Sequence, residues 1–171
     1  MTSILKVDNL QDSSGTGTPY IKGAVLDIYQ HTSSTQTAGN ATSNYNSTGL
    51  FLTITPKSTA SKFLVTFHGA GHNNTGGGHV VANIVVNPTS STDINTVMTG
   101  GTLITSSTYG MAHSFCLNSN VVGQLSNSIL HSPNTTSPVT YNVVFKRVNS
   151  GTTYWAIDSG FTTLTAMEIG G

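Results

Sequence analysis

Three histidines surround a glycine-rich stretch, and imidazole is the side chain of this sequence that could hold a metal. His68, His72 and His79 bracket the segment Gly69–Gly78. Neutral imidazole nitrogens bind zinc and iron, so these three are the candidate ligands. Their spacing matches no common ligand signature, and no cysteine or acidic residue lies between them. We therefore expect polar loop residues, no metal and no cofactor; a site shared between copies on a threefold axis is the alternative.

The acidic residues that hydrolysis needs are few, and they are spread along the chain from Asp8 to Glu168. Glycoside hydrolysis requires two carboxylates in one cleft. The Gly-x-Ser-x-Gly turn that exposes a nucleophilic serine is absent from the sequence. Cys116 stands between Phe115 and Leu117 in a strand pattern, which is typical of a small buried hydrophobe. The sequence thus predicts no catalytic residue and no enzyme.

Composition excludes several classes of partner. Charged residues make up 7% of the 171-residue chain, against about 25% in a typical soluble domain. Lys+Arg and Asp+Glu number 6 each, so no basic surface is available to neutralise nucleic-acid phosphates. The single cysteine excludes an intrachain disulfide, no apolar run reaches the length of a membrane span, and the first residues lack a signal-peptide pattern. We expect one folded body, with no nucleic-acid partner and no membrane insertion.

Apolar residues alternate with a period of two, which predicts half-buried strands rather than helices. The alternation is clearest over Thr48–Thr55, Lys62–His68, His79–Val86 and Tyr141–Val148. Short strands separated by Gly, Pro and Asn predict an all-β protein: an antiparallel β-sandwich of jelly-roll type with an extended N-terminal arm. The inward-facing positions predict a core that includes Leu52, Ile54, Phe63, Val65, Phe67, Ile84, Val86, Val143 and Phe145.

The first residues form a segment distinct from the body. Met1–Gln11 carries an apolar set, and Gln11–Pro19 has the composition of a flexible link. We interpret residues 1–19 as an arm with its linker and residues 20–171 as the sandwich body. Extended segments commonly bind by adding to a sheet edge, so we expect the arm to act as an anchor on another protein, and a frayed terminus is the alternative. The predicted anchoring residues are Ile4, Leu5, Val7 and Leu10.

Three polar stretches are predicted as loops that form the working surface: His31–Ser47, Gly69–Gly78 and Ser132–Pro138. Neutral hydroxyl and amide groups exchange hydrogen bonds with glycan hydroxyls, and aromatic rings stack on sugars. We therefore predict that these loops contact a glycan, and inert solvated links are the alternative. The predicted receptor contacts are Tyr45 as the stacking residue, with His72, Asn73 and Asn74 as polar contacts.

Several short motifs occur in an order that resembles tail-fibre-like virion proteins of marine and cyanobacterial tailed phages. They run over nearly the whole chain: Ser3–Gln11, Gly23–Leu26, Leu52–Ser58, Ser61–Val65, Phe145–Arg147 and Leu164–Gly171. The resemblance implies a virion structural protein with an all-β body, usually a homotrimer, whose arm docks onto the particle. Its location would be the virion, among other tail or capsid proteins.

Two functions are compatible with that resemblance. The first is a tail fibre or appendage that displays loops for host attachment. The second is a capsid decoration protein, either a cement protein or a head fibre, that stabilises or ornaments the phage head. Both would be β-rich trimers with an N-terminal arm, and the number of copies per particle separates them.

Overall fold

The computed structural model of the protein describes residues 23–39, 45–88, 101–116, 118, 121–149, 151–156 and 160–171. Every regular element within these residues is a β-strand, and none of them contains a helix that could cross a bilayer. The predicted anchoring residues Ile4, Leu5, Val7 and Leu10 lie outside the described residues, so the arm and the domain boundary after residue 19 stay predictions. The strands are β1 Val25–Ser33, β2 Thr37–Gly39, β3 Asn46–Ile54, β4 Lys62–Asn73, β5 Gly78–Val86, β6 Thr102–Leu103, β7 Ala112–Cys116, β8 Gly123–His131, β9 Val139–Val148, β10 Thr153–Trp155 and β11 Thr162–Ile169.

The strands form two antiparallel sheets. Sheet A has the order β1-β11-β4-β8, and β10 and β2 continue it beside the last residues of β4. Sheet B has the order β3-β9-β5-β7, and β6 pairs with the last residues of β5. The eight longer strands pass back and forth between the two sheets, except that β5 and β7 are neighbours within sheet B, and this is the connectivity of a jelly roll. The predicted fold class is confirmed.

Alternation along each strand sends one set of side chains into the space between the sheets. Trp155 lies at the centre, with its ring 6.4 Å from that of Phe67 in sheet A and 6.3 Å from that of Phe145 in sheet B. Gly69 makes room for this ring, because a Cβ there would overlap the indole. Each fully buried large apolar side chain contributes about 1.5–3 kcal/mol.

Most of the predicted core is confirmed. Seven of its nine members are buried, whereas Leu52 and Val86 are half-buried at the margin of the cluster. Val86 ends β5, and Leu52 lies two residues before the end of β3. Cys116 is buried and free, as expected for a small hydrophobe.

Two of the three predicted loops are wrong in extent. In His31–Ser47, the first residues complete β1, Thr37–Gly39 forms β2, and Asn46 begins β3. In Gly69–Gly78, β4 continues to Asn73 and β5 begins at Gly78, so the turn is residues 74–77. The glycines there serve close packing: a Cβ on Gly71 would lie 2.9 Å from Val80. The third loop is confirmed, since residues 132–138 join β8 to β9.

The two ends of the sandwich differ in what they carry. At the end that we call proximal, Gly23 donates its backbone N–H to Gly170 at 2.7 Å, and Ile169 pairs with Lys62. At the end that we call distal, β4 turns into β5, and Thr153 pairs with Asn73. The chain therefore enters the described body at the proximal end, and the glycine-rich turn lies at the distal end. The loop at residues 132–138 follows His131, which pairs with Phe63, so it lies at the proximal end. The expectation that it shares one working surface with Gly69–Gly78 is therefore wrong.

Candidate binding surface

The distal turn is held in one conformation by short polar contacts. Asn73 Oδ1 accepts the backbone N–H of Thr75 at 2.8 Å. Gly77 adopts φ +82°, a left-handed conformation that favours glycine, and donates its N–H to the Cys116 carbonyl at 2.8 Å. Asn74 Oδ1 accepts the N–H of Thr152 at 2.8 Å, which ties the turn to the β9–β10 connection. A rigid distal tip of amide and hydroxyl groups results.

The four predicted receptor contacts are not brought together on one exposed surface. Asn74 is exposed on the distal turn. Asn73 is fully buried, and His72 is 9% exposed with its ring stacked on Tyr154 at 4.7 Å between centroids. Both polar side chains lie within the last residues of β4, where the structure uses them internally. Of the predicted set, Asn74 is the side chain that the described body offers to a receptor.

Contrary to the prediction, Tyr45 is not at the surface but is buried against sheet B, with 6% of its surface exposed. Its ring packs with Val81, Val85 and Val144 on the side of sheet B that faces away from the main core. The ammonium of Lys146 lies 4.7 Å from the ring centroid. Burial raises the pKa of the Tyr45 hydroxyl. A buried ring cannot stack on a receptor sugar, so the assignment of Tyr45 as the stacking residue is wrong.

The predicted metal candidates do not converge. His68 is exposed on the outer face of sheet A, His72 is buried at the end of β4, and His79 lies on the outer face of sheet B. Among the described residues, no group of three or more His, Cys, Asp or Glu side chains could hold a metal ion.

An aromatic group that the sequence reasoning did not assemble lies on the outer face of sheet B, in its distal half. We call it the aromatic patch, and it consists of His79, Tyr109, His113 and Phe115. The ring centroids of His79 and Phe115 are 4.7 Å apart, and those of Tyr109 and His113 are 5.0 Å apart. His79 connects the two pairs, at 5.7 Å from Tyr109 and 6.0 Å from His113. The four rings thus form one continuous surface.

Strand register and one glycine build the aromatic patch. His79 pairs with Phe115 across β5 and β7, so both rings project to the same face of the sheet. Tyr109 precedes β7 in a turn closed by the N–H of Gly110 to Ser107 at 2.9 Å. Gly110 has φ +60°, and a Cβ there would overlap the Ala82 carbonyl. Only glycine therefore lets this turn lie against β5 and bring Tyr109 to the other rings.

The outer face of sheet A carries a second feature, which we call the apolar row: Ile28, Met167, Leu64 and Leu130. Ile28 pairs with Met167, Met167 with Leu64, and Leu64 with Leu130. The row therefore crosses the four strands from one edge of the sheet to the other. Its end members are 57% (Ile28) and 54% (Leu130) exposed. The row nearer the distal end is polar throughout: Gln30, Thr165, Thr66 and Ser128.

A cavity of about 450 Å³ lies at the proximal end. It is lined by the end of β5, the segment after residue 100 and the loop after β8, including Val86, Leu103, His131 and Pro133. The hydroxyl of Tyr141 lies 2.8 Å from His131 Nδ1 at its wall. Burial lowers the pKa of His131 and raises that of Tyr141.

No protein-family model and no curated protein matches the sequence. Among solved structures, the chain is similar to the structure of infectious bursal disease virus, Gx strain, with 10% identity and a TM-score of 0.45 over 100% of this chain and 43% of that one. A second similar structure is the D431N mutant VP2 protein of the same virus, from derived T=1 particles, with 9% identity and a TM-score of 0.44 over 96% of this chain and 40% of that one. The chain thus spans less than half the length of these proteins. The jelly-roll assignment stands on the strand order itself.

Proposed function

We propose that the protein is a non-enzymatic virion structural protein, a tail appendage that attaches a phage to its host surface. The observation that carries the proposal is the polarity of the body. The chain enters at the proximal end, where Gly23 pairs with Gly170, and the rigid turn of Asn74 and Thr75 lies at the distal end. An arm before residue 23 would hold the particle, and the opposite end would meet the host. The order of the sequence motifs supports the same reading.

The length of the body suits this division. β4 runs from one end to the other with 12 residues, about 40 Å at roughly 3.3 Å per residue. A surface at the distal turn therefore stands clear of whatever holds the proximal end. The surface polarity comes from neutral groups, which salt does not screen, whereas ion pairs weaken in salt water.

We propose that the protein works as a homotrimer and that copies meet through the apolar row. Exposed sheet edges do not explain such an association, because side-chain hydrogen bonds join the outer strands of one sheet to the other sheet. His31 Nδ1 of β1 lies 2.8 Å from the Phe51 carbonyl oxygen of β3, and Asn127 of β8 hydrogen-bonds to the Met111 carbonyl. The apolar row is the better candidate, since exposed apolar patches commonly mark interaction sites. Three copies would also present three distal surfaces, and multivalency strengthens weak contacts.

The second candidate function is capsid decoration. The apolar row is the observation that favours it, because the row could pack on a neighbouring capsid subunit instead of on another copy of this chain. In that case the particle would carry hundreds of copies rather than tens. The distal end of each copy would face the medium and bind no receptor.

The proposal is tested with a matched pair of variants built into phage particles. Thr75 and Thr59 are both exposed, at the distal and proximal ends respectively. We expect Thr75→Lys to slow adsorption to host cells several-fold and Thr59→Lys to leave it unchanged, with equal incorporation of both. If neither variant alters adsorption while loss of the protein makes particles fragile, the appendage function is wrong and decoration is correct.

A further inference from the structure

We propose that the aromatic patch of His79, Tyr109, His113 and Phe115 is a saccharide-binding site that takes the pyranose rings of a host-surface glycan. This inference rests on the proposed function of host attachment and names its ligand class and its residues. It replaces the predicted stacking role of Tyr45, whose ring is buried.

Accessible ring surface is the first argument. Tyr109 is 45% and Phe115 is 46% exposed, so a large part of each ring is open to solvent. Both contact His79, whose ring lies between them at 5.7 Å and 4.7 Å. The patch therefore offers a continuous floor of π-faces and ring edges, on which the C–H face of a pyranose can pack.

Polar atoms interleaved with the rings are the second argument. The Tyr109 hydroxyl and the imidazole nitrogens of the exposed His113 lie among the apolar ring atoms, so a sugar's hydroxyls would find donors and acceptors beside its apolar face. The Nδ1 of His79 is buried, so His79 contributes ring surface to the patch rather than that nitrogen. β5, β7 and the turn before β7 carry no acidic residue, and Lys146, opposite Val81, lies over Tyr45.

The aromatic patch and the apolar row differ in chemistry, and this difference favours a glycan over a second copy of the chain as the ligand of the aromatic patch. The apolar row is made of aliphatic and thioether side chains without a hydrogen-bonding group, and burial in a protein interface suits it. The aromatic patch mixes rings with polar tips, which suits a ligand that is itself half C–H and half hydroxyl. The two faces therefore serve different partners, and the aromatic patch is the one for saccharide.

Position and rigidity are the remaining arguments. His79 follows Gly78, which pairs with Cys116 next to the distal turn, so the patch lies in the half of the body away from the arm. Strand pairing fixes three of the rings, and the turn at Gly110 fixes Tyr109. A site fixed in advance loses little conformational entropy on binding.

Saturation-transfer NMR on the full chain tests the inference with three neutral trisaccharides: cellotriose, maltotriose and N-acetylated chitotriose. We expect saturation to pass from the protein to the ring protons of at least one of the three sugars, with a dissociation constant near the millimolar range. Phe115→Ala and Tyr109→Ala should weaken binding roughly three- to tenfold. Phe161→Ala is the matched control, because Phe161 is 77% exposed outside the patch, and it should leave binding unchanged. Thermal melts check that each variant is folded.

The outcomes separate this inference from the proposed function. If no probe binds, or if Phe161→Ala weakens binding as much as Phe115→Ala does, the saccharide site is refuted. If, in addition, Thr75→Lys still slows adsorption, host attachment stands without it. If Phe115→Ala changes the molar mass measured by light scattering and no sugar binds, the patch is an interface between copies, and the inference is overturned.

Discussion

The imidazole Nδ1 of His131 lies 2.8 Å from the hydroxyl oxygen of Tyr141, and the two rings meet edge to face at 5.6 Å between centroids. The pair joins the end of β8 in sheet A to the start of β9 in sheet B, where the proximal loop leaves the sandwich. Since Tyr141 is fully buried, this contact fixes the loop against the core.

Burial lowers the pKa of His131 from its ordinary 6.5, which predicts a loss of stability in mild acid. The unfolded chain binds the proton more tightly than the folded one, so stability is complete above about pH 6.5 and falls as pH drops below it. We expect the free energy of unfolding, measured in urea at pH 7 and pH 5, to fall less in His131→Gln than in the unsubstituted protein. His68→Gln, at an exposed histidine, is the control. An equal fall in all three proteins would show that His131 is not responsible.

Gly110→Ala tests the turn that positions Tyr109. A Cβ at φ +60° next to the Ala82 carbonyl forces the backbone to move, at a cost of roughly 1–3 kcal/mol. We expect a lower melting temperature. We also expect the NMR chemical shifts of the His113 ring protons to change, because the Tyr109 ring would no longer lie 5.0 Å away. Gly76→Ala, at an exposed distal position, should cost less. If Gly110→Ala melts like the unsubstituted protein, the turn does not require glycine.

The apolar row predicts how copies associate. Replacing Ile28 and Leu130 together by Ser removes the two exposed ends of the row, and we expect the proposed trimer to dissociate to monomers at micromolar concentration in light scattering. Each monomer should remain folded, because exposed substitutions change stability by about 0.5 kcal/mol or less. Replacing Gln30 and Ser128 by Ala in the adjacent polar row of the same strands is the control. A trimer that survives the first pair, or dissociates with the second, contradicts the assignment.

Replacing Glu168 should lower the free energy of unfolding substantially, although the residue is polar. Its carboxylate is fully buried and accepts the backbone N–H of Lys57 at 2.7 Å. Glu168→Leu leaves that N–H unsatisfied, so chemical denaturation should show a loss of about 1–3 kcal/mol. Glu168→Gln keeps an acceptor oxygen and should lose less. Equal losses in the two variants would mean that packing rather than the hydrogen bond matters here.

The fold was predictable from the sequence because period-two alternation is a local signal. Phe63, Val65 and Phe67 alternate within one strand, and the structure buries all three. The predicted loops failed for a tertiary reason. Gly69 and Gly71 suggest a loop when considered alone, but they leave room for Trp155 and Val80 between paired strands.

The surfaces were not predictable, because their members are distant in sequence. Ile28, Leu64 and Met167 become neighbours only through the register of β1, β4 and β11. The alternation in β7 does place His113 and Phe115 on one face, opposite Cys116, and this was the available signal for the aromatic patch. Its significance depends on the pairing with His79, which the sequence does not specify.

Whether the protein is a tail appendage of a virion can be seen by electron microscopy of purified particles labelled with gold-conjugated antibody against this chain. We expect gold at the tail, in numbers that correspond to tens of copies per particle. Gold distributed over the head, corresponding to hundreds of copies, or particles without label, would contradict it.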